Sequence, residues 1–213
     1  MDSDAYLPIA IFGAVIVAIA FITLYQTKKA GENLAALAQR LGLTLKTTGK
    51  FFKKHSLVGE LRGKQAEVFS YTTGAGKSRR TWAAMAVTVG KTGGLTFSLE
   101  RRVAFLDFFA RAFRRNEVKT GDEIFDRQWL LKTNRPELMQ AILLPELRQK
   151  LTSFLGSGAT SPSFKLETYR VQYSEQGSFS SDKVCQRIAT GADILCELAD
   201  IVEVTAEMKN TTN

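Results

Sequence analysis

Residues Tyr6 to Tyr25 read YLPIAIFGAVIVAIAFITLY, and no charge occurs between Asp4 and Lys28. This run constrains the chain more than any other feature. The 19 residues Leu7–Tyr25 span roughly 28 Å as a helix, close to the hydrocarbon thickness of a bilayer. Pro8 falls in the first turn, where a missing N–H costs nothing. Tyr6 and Tyr25 bracket the run as amphipathic rings do at the two interfaces. A buried core helix of this length would carry a polar face, and this one has none. A cleaved signal peptide fits poorly, because Asp2 and Asp4 precede the run and no Lys or Arg does. The sequence therefore predicts a transmembrane helix over 7–25.

Flanking charge gives an orientation. The N-terminal side carries two acids, and the C-terminal side carries Lys28, Lys29 and Arg40. Positive residues stay in the cytoplasm. That places residues 1–6 outside and the domain in the cytoplasm, at an inner (cytoplasmic) membrane. Cys185 and Cys196 fall in one long helical pattern, with about 16 Å of rise between them. That is too far for a bridge, so both are read as free thiols of a reducing compartment.

Beyond the span, GENLAALAQRLG places Leu34, Leu37, Ala38 and Leu41 at helical spacing, a linker helix within 26–42. A soluble domain over 43–205 and a flexible tail over 206–213 follow. Strand patterns occur at 43–48, 56–61, 65–71, 81–89, 95–99 and 128–132. Arg62-Gly63-Lys64, a glycine-rich stretch at 73–79, and 90–94 separate the early strands as hairpin connections do. Asn134 with Pro136 and Glu137 predicts a capped helix, which Pro145 interrupts before 146–155. Phe164 and Leu166 face one way, and Tyr169, Val171 and Tyr173 the next, so a tight turn or a bulge lies between them. A last helix runs from Ser181 or Asp182 to about Glu203. The fold class is α+β: one mostly antiparallel sheet of six to eight strands, covered on one side by helices.

Charge is unevenly shared along the chain. Residues 28–119 hold 19 Lys and Arg against 6 Asp and Glu; residues 120–213 hold 10 against 13. Anionic headgroups attract a basic surface, at about 1 kcal/mol for each nearby cation. The first half is therefore read as membrane-proximal. Candidate lipid- or partner-binding residues are Lys53, Lys54, Arg79, Arg80, Arg111, Arg114 and Arg115. The last three lie in an amphipathic helical pattern over 103–115. Its phenylalanine-rich face suits either the core or an interface. Aromatics beside cations, as in Lys53-Lys54-His55 and Arg79-Arg80-Thr81-Trp82, can stack on bases, yet no nucleic-acid module appears.

Catalytic signatures are weak. Gly76-Lys77-Ser78 ends like a phosphate-binding loop, but Tyr71 stands where its first glycine belongs, and a strand follows instead of a helix. Asp122, Glu123 and Asp126 form the one carboxylate cluster, which could serve a metal-dependent hydrolase or simply a capped turn. No metal site and no cofactor motif is read. His55 is the single histidine and has no local catalytic partner.

The Leu-Ala-rich helix Leu34–Leu43 recurs with Leu61-Arg62-Gly63, Gly76-Lys77-Ser78-Arg79, and Thr120-Gly121-Asp122-Glu123-Ile124-Phe125-Asp126 ahead of Pro145-Glu146-Leu147-Arg148. That order resembles a group of uncharacterised bacterial membrane-anchored proteins with a small α+β domain of unknown function. The resemblance implies bacterial origin and membrane attachment, and transfers no functional residue. The resulting expectation is a single-pass, non-catalytic interaction or scaffold module, or an accessory subunit, with an unknown membrane-protein partner.

Overall fold

The computed structural model describes residues 6–48, 54–102 and 117–211. Helix α1 (Tyr6–Leu41) is one continuous element, so the apolar run and the linker helix are a single rod. Its side chains are exposed from Ile11 through Lys28. Leu34, Leu37 and Ala38 are buried, at the i, i+3, i+4 spacing that aligns one helix face. The same helix thus has an apolar stretch that is exposed from Ile11 to Tyr25 and a half docked on the domain.

Among the described residues the sheet has nine strands: β1 (Thr44–Thr48), β2 (Lys54–Leu61), β3 (Lys64–Thr73), β4 (Arg80–Thr88), β5 (Phe97–Arg101), β6 (Glu117–Val118), β7 (Trp129–Thr133), β8 (Ser163–Glu167) and β9 (Arg170–Gln176). Their order is β1-β2-β3-β4-β9-β8-β5-β7-β6, and every neighbouring pair is antiparallel. The fold is α+β, with one strand more than the sequence pattern gave. The addition is β6, too short to show a period.

One row of side chains crosses the whole sheet. Leu45, Leu57, Val68, Met85, Tyr173, Phe164, Leu99, Leu131 and Val118 are successive register partners. All except Leu45 at the edge and Val118 are buried. Burial of this row explains the period-2 pattern, because a slip of one residue would turn a strand's apolar set toward solvent. Helices α2 (Glu123–Gln128), α3 (Pro136–Ile142), α4 (Pro145–Leu155) and α5 (Asp182–Thr211) complete the fold. Met139, Ile142, Leu147, Leu151, Phe154, Ile188 and Leu195 from α3, α4 and α5 join the row in one core.

Local turns follow their residues. Arg62 and Gly63, with φ of 50° and 76°, make the two-residue β2–β3 turn. Thr168, with φ of 57°, makes the tight β8–β9 turn that accounts for the parity change. Two expectations are corrected. Asn134 does not cap α3; its Oδ1 accepts from Thr96 N, and its Nδ2 donates to Gly94 O, tying the loop before β5 to β7. The last helix continues past Glu203 to Thr211, and Ala206 is buried against Gly93 rather than starting a loose tail.

Topology also corrects the charge argument. The β8–β9 hairpin sits between β4 and β5, so the basic first half and the acidic second half of the sequence interleave in space. Nearness to the apolar helix is decided by strand ends.

Candidate functional site

One end of the sheet stands beside the apolar part of α1. There β1 ends and β2 begins, β3 ends and β4 begins, β9 ends and β8 begins. A groove of about 250 Å³ fixes the level: Thr23, Gln26, Thr27, Ala30 and Leu34 of α1 face His55, Ser70, Thr81, Ser178 and Phe179. We call this the proximal end. Below the groove, Asn33 Nδ2 donates to Phe179 O and to Asp182 Oδ1, both at 2.9 Å, and Lys29 Nζ lies 3.4 Å from Asp182 Oδ2. The hydrogen bond from Asn33, then that from Lys29 and its charge, hold the Asp182 carboxyl below its ordinary pKa. An acid at the start of α5 also suits the helix dipole. These contacts fasten α1 to the first turn of α5.

The sequence-derived cations fall as follows. Arg79 and Arg80 lie at the proximal end, Arg79 closing the connection between β3 and β4 and Arg80 opening β4, and both are exposed. Lys54 opens β2 at the same end, opposite Thr48. Lys53, Arg111, Arg114 and Arg115 lie outside the described residues, as does the amphipathic pattern over 103–115. The chain enters that segment from Arg102 and returns at Glu117, and these two flanking residues form an ion pair.

The sequence pattern marked the β3–β4 hairpin but not the aromatic pair behind its tip. Tyr71 and Trp82 are cross-strand partners with stacked rings, centroids 6.1 Å apart and planes 7° from parallel. Trp82 Nε1 donates to Thr73 Oγ1 at 2.8 Å. The connection turns through a short 3₁₀ segment, Gly76–Ser78, that is exposed throughout. It leads from strand to strand and is no phosphate-binding loop. Gly74 has a φ of 76°, and a Cβ there would lie 2.5 Å from Ser78 O, so the tip closes only with glycine. Lys77, Arg79 and Arg80 have no ion pair among the described residues. The signal that could have found the Tyr71–Trp82 pair is the hairpin's symmetry: an aromatic residue on each side of a glycine-rich, basic turn.

The carboxylate cluster does not converge. Asp122 caps α2, its Oδ1 accepting from Ile124 N and Phe125 N at 3.1 Å, and its Oδ2 lies 3.5 Å from Arg148 Nε. Asp126 accepts from Thr120 N, Thr120 Oγ1 and Gly121 N. Glu123 points to solvent and pairs with Arg127 at 2.9 Å. Each carboxylate is engaged separately, and no metal-holding group of His, Cys, Asp or Glu occurs among the described residues. The hydrolase reading is corrected on that geometry: the trio is a capped turn. Asp126 braces the loop, and Glu123 pairs with Arg127.

Two further groups are perturbed without forming a site. Glu175 is fully buried under α5, where Arg187 Nε donates to its Oε2 at 2.8 Å. Burial pushes its carboxyl up, against the hydrogen bond and charge of Arg187. Burial first, then the charge of Glu175, pushes the neighbouring Tyr173 hydroxyl up. No substrate reaches a carboxylate with zero exposure. Cys185 and Cys196 are free and buried, as expected. Burial, with the charges of Asp182 and Glu175, pushes the Cys185 thiol up to about 11, which leaves it unreactive.

No family model and no curated protein matches the chain. Among solved structures, the chain is similar to the crystal structure of the mycobacterial trehalose monomycolate transport factor A, TtfA. The TM-score is 0.49 at 10% identity, over 82% of this chain and 95% of that one. At that level of likeness, nothing about that protein's cargo or partners carries over.

Proposed function

We propose that this chain is a single-pass, membrane-anchored, non-catalytic interaction module of a bacterial membrane, holding a membrane-protein partner or serving as an accessory subunit. The N-terminus lies outside and the domain in the cytoplasm. The observation that carries this reading is the division of α1. The helix carries an apolar run of bilayer length, exposed from Ile11 to Tyr25, and continues without a break into a half packed on the domain. From Tyr25 to Lys29, where the domain takes hold, the helix rises only about 6 Å. The domain is therefore held close against the membrane face instead of hanging from a flexible tether. The orientation rests on Lys28 and Lys29 following an uncharged span.

The test is affinity capture of the tagged full-length protein from its native membrane in mild detergent. The expected result is a membrane protein recovered in fixed stoichiometry. The reading is overturned if nothing co-purifies and the protein instead shows a hydrolytic turnover that Asp122→Asn or Asp126→Asn abolishes. Protease access to an N-terminal tag in sealed cells and in inverted vesicles checks the orientation.

A further inference from the structure

We infer that the β3–β4 hairpin is a second, peripheral membrane contact, in which Lys77, Arg79 and Arg80 bind anionic phospholipid headgroups while Tyr71 and Trp82 sit at the interface. This rests on the anchored reading in one respect: α1 must cross a bilayer.

Level is the first part of the case. Ser70 and Thr81 line the same groove as Thr23, Gln26 and Thr27, so they stand beside the last turns before Lys28. The hairpin does not stop there. It continues through the Thr73–Arg80 pair and then the connection 74–79. Each strand residue advances about 3.3 Å. The tip therefore reaches the height of the apolar part of α1, which ends at Tyr25. A rigid α1, fixed by Asn33, Lys29 and the buried Leu34 and Leu37, leaves the tip nowhere to go but the headgroup layer.

Chemistry is the second part. Three cations stand within four positions on an exposed tip, with no ion pair among the described residues and no acid between Glu67 and Glu100. Several other basic residues of the domain are tied to carboxylates, as with Arg62 to Asp193 and Lys91 to Glu207. Anionic headgroups supply the missing counter-charge. Tyr71 and Trp82 are half-exposed and stacked just behind the cations. Amphipathic rings favour that depth, one side apolar and one side wet. Glycine and alanine make up the rest of the turn before Lys77, so the tip is slim enough to enter between headgroups.

The experiment places full-length protein in nanodiscs of phosphatidylcholine, with or without a minority of phosphatidylglycerol. Dibrominated phosphatidylcholine serves as a contact quencher of tryptophan. Trp129 is 1% exposed, so the quenchable signal belongs to Trp82, and Trp82→Phe gives the background. Each cation near an anionic surface biases docking about fivefold, so neutralising three removes roughly a hundredfold and reversing them removes more. Quenching in anionic discs is expected to fall to the Trp82→Phe background in Lys77→Glu/Arg79→Glu/Arg80→Glu. It should fall partly in the Gln triple and decline with salt in the unmodified protein. Equal quenching in the unmodified and charge-reversed proteins, or none in the unmodified protein, overturns the inference. Retention of the protein in liposomes at high salt reads α1 alone, so a failed anchor is told from a failed hairpin. If charge reversal abolishes partner capture while Trp82 is never quenched, the hairpin belongs to an acidic protein and the lipid contact is refuted. Loss of capture in every form, with quenching as expected, refutes the interaction module and leaves the hairpin contact standing.

Discussion

At the distal end of the sheet, Arg62 reaches Asp193, Lys64 reaches Asp200 and Glu203, Lys91 reaches Glu207, and Arg170 reaches Glu67. At the proximal end, Lys77, Arg79 and Arg80 reach no carboxylate among the described residues. The distal cations fasten hairpin ends and a loop to α5, or, for Arg170, reach from β9 across β4 to β3. Lys64 is the most enclosed, with 10% of its side chain exposed, and Glu203 also accepts from Gly90 N. Burial alone would raise the Glu203 carboxyl, but the hydrogen bonds from Lys64 and Gly90 outweigh it and hold the group below its ordinary value. The contrast teaches that basic residues of one domain serve two purposes. The distal ones, Lys64 most deeply, tie strand ends and a loop to α5 or across the sheet, while the three at the proximal tip stay exposed beside the end of the apolar run.

The largest expected effect lies beneath the proximal end. Arg187→Leu leaves the buried Glu175 without its partner and is expected to cost about 3–5 kcal/mol, read by chemical denaturation. The pH dependence has a definite sign. A carboxyl raised in the folded state binds protons that the unfolded chain releases, so stability falls as pH rises above its ordinary value. The variant should therefore recover part of its loss in mild acid. Recovery only in alkali would show that Glu175 is not the group left exposed to that cost.

Next comes Leu37→Ala, at about 2–4 kcal/mol, because it opens a cavity where α1 meets the domain. Thermal unfolding of the full-length protein checks this. A loss under about 1 kcal/mol would mean that α1 is not a fixed part of the domain, which would also remove the reason for a defined proximal end.

Lys64→Ala should cost about 1–2 kcal/mol near neutral pH. The sign here is opposite to that of Glu175. A carboxyl lowered in the folded state stabilises above its ordinary value and loses that contribution as pH falls through the folded one. The gap between variant and parent should close below about pH 4. A gap that persists in acid would assign the loss to packing of the lysine stem.

The smallest stability effect is expected at the hairpin. The triple Glu replacement of Lys77, Arg79 and Arg80 should change stability by less than about 0.5 kcal/mol, as exposed positions do. A loss above about 1 kcal/mol would make the proximal cations structural, and the contrast between the two ends would collapse.

Much of the local structure was legible because it depends on near neighbours. Arg62-Gly63 marked a two-residue turn, and Tyr71-Thr72-Thr73-Gly74 marked the end of a strand, since positive φ favours glycine. The paired prolines Pro136 and Pro145 marked the starts of α3 and α4. Asn134 misled because its local pattern is that of a cap, while two backbone groups near β5 offered better partners. The carboxylates at 122–126 misled in the same way: their closeness in sequence said nothing of where each would point. Tyr71 and Trp82 could have been paired by folding the glycine-rich turn on itself, whereas the Glu175–Arg187 pair left no trace in the pattern.

By itself, the sequence determined the apolar rod, the α+β class, the hairpins on either side of β3, and two thiols too far apart to bond. These depend on period, length and turn chemistry, which act over a few residues. Only the tertiary structure decided that the β8–β9 hairpin enters between β4 and β5, that the basic and acidic halves interleave, and that Asp182 fastens α5 to α1. It also decided which end of the sheet stands beside the apolar part of α1. Those outcomes rest on pairings between residues far apart in the chain, whose energies come from burial and register that no local pattern encodes.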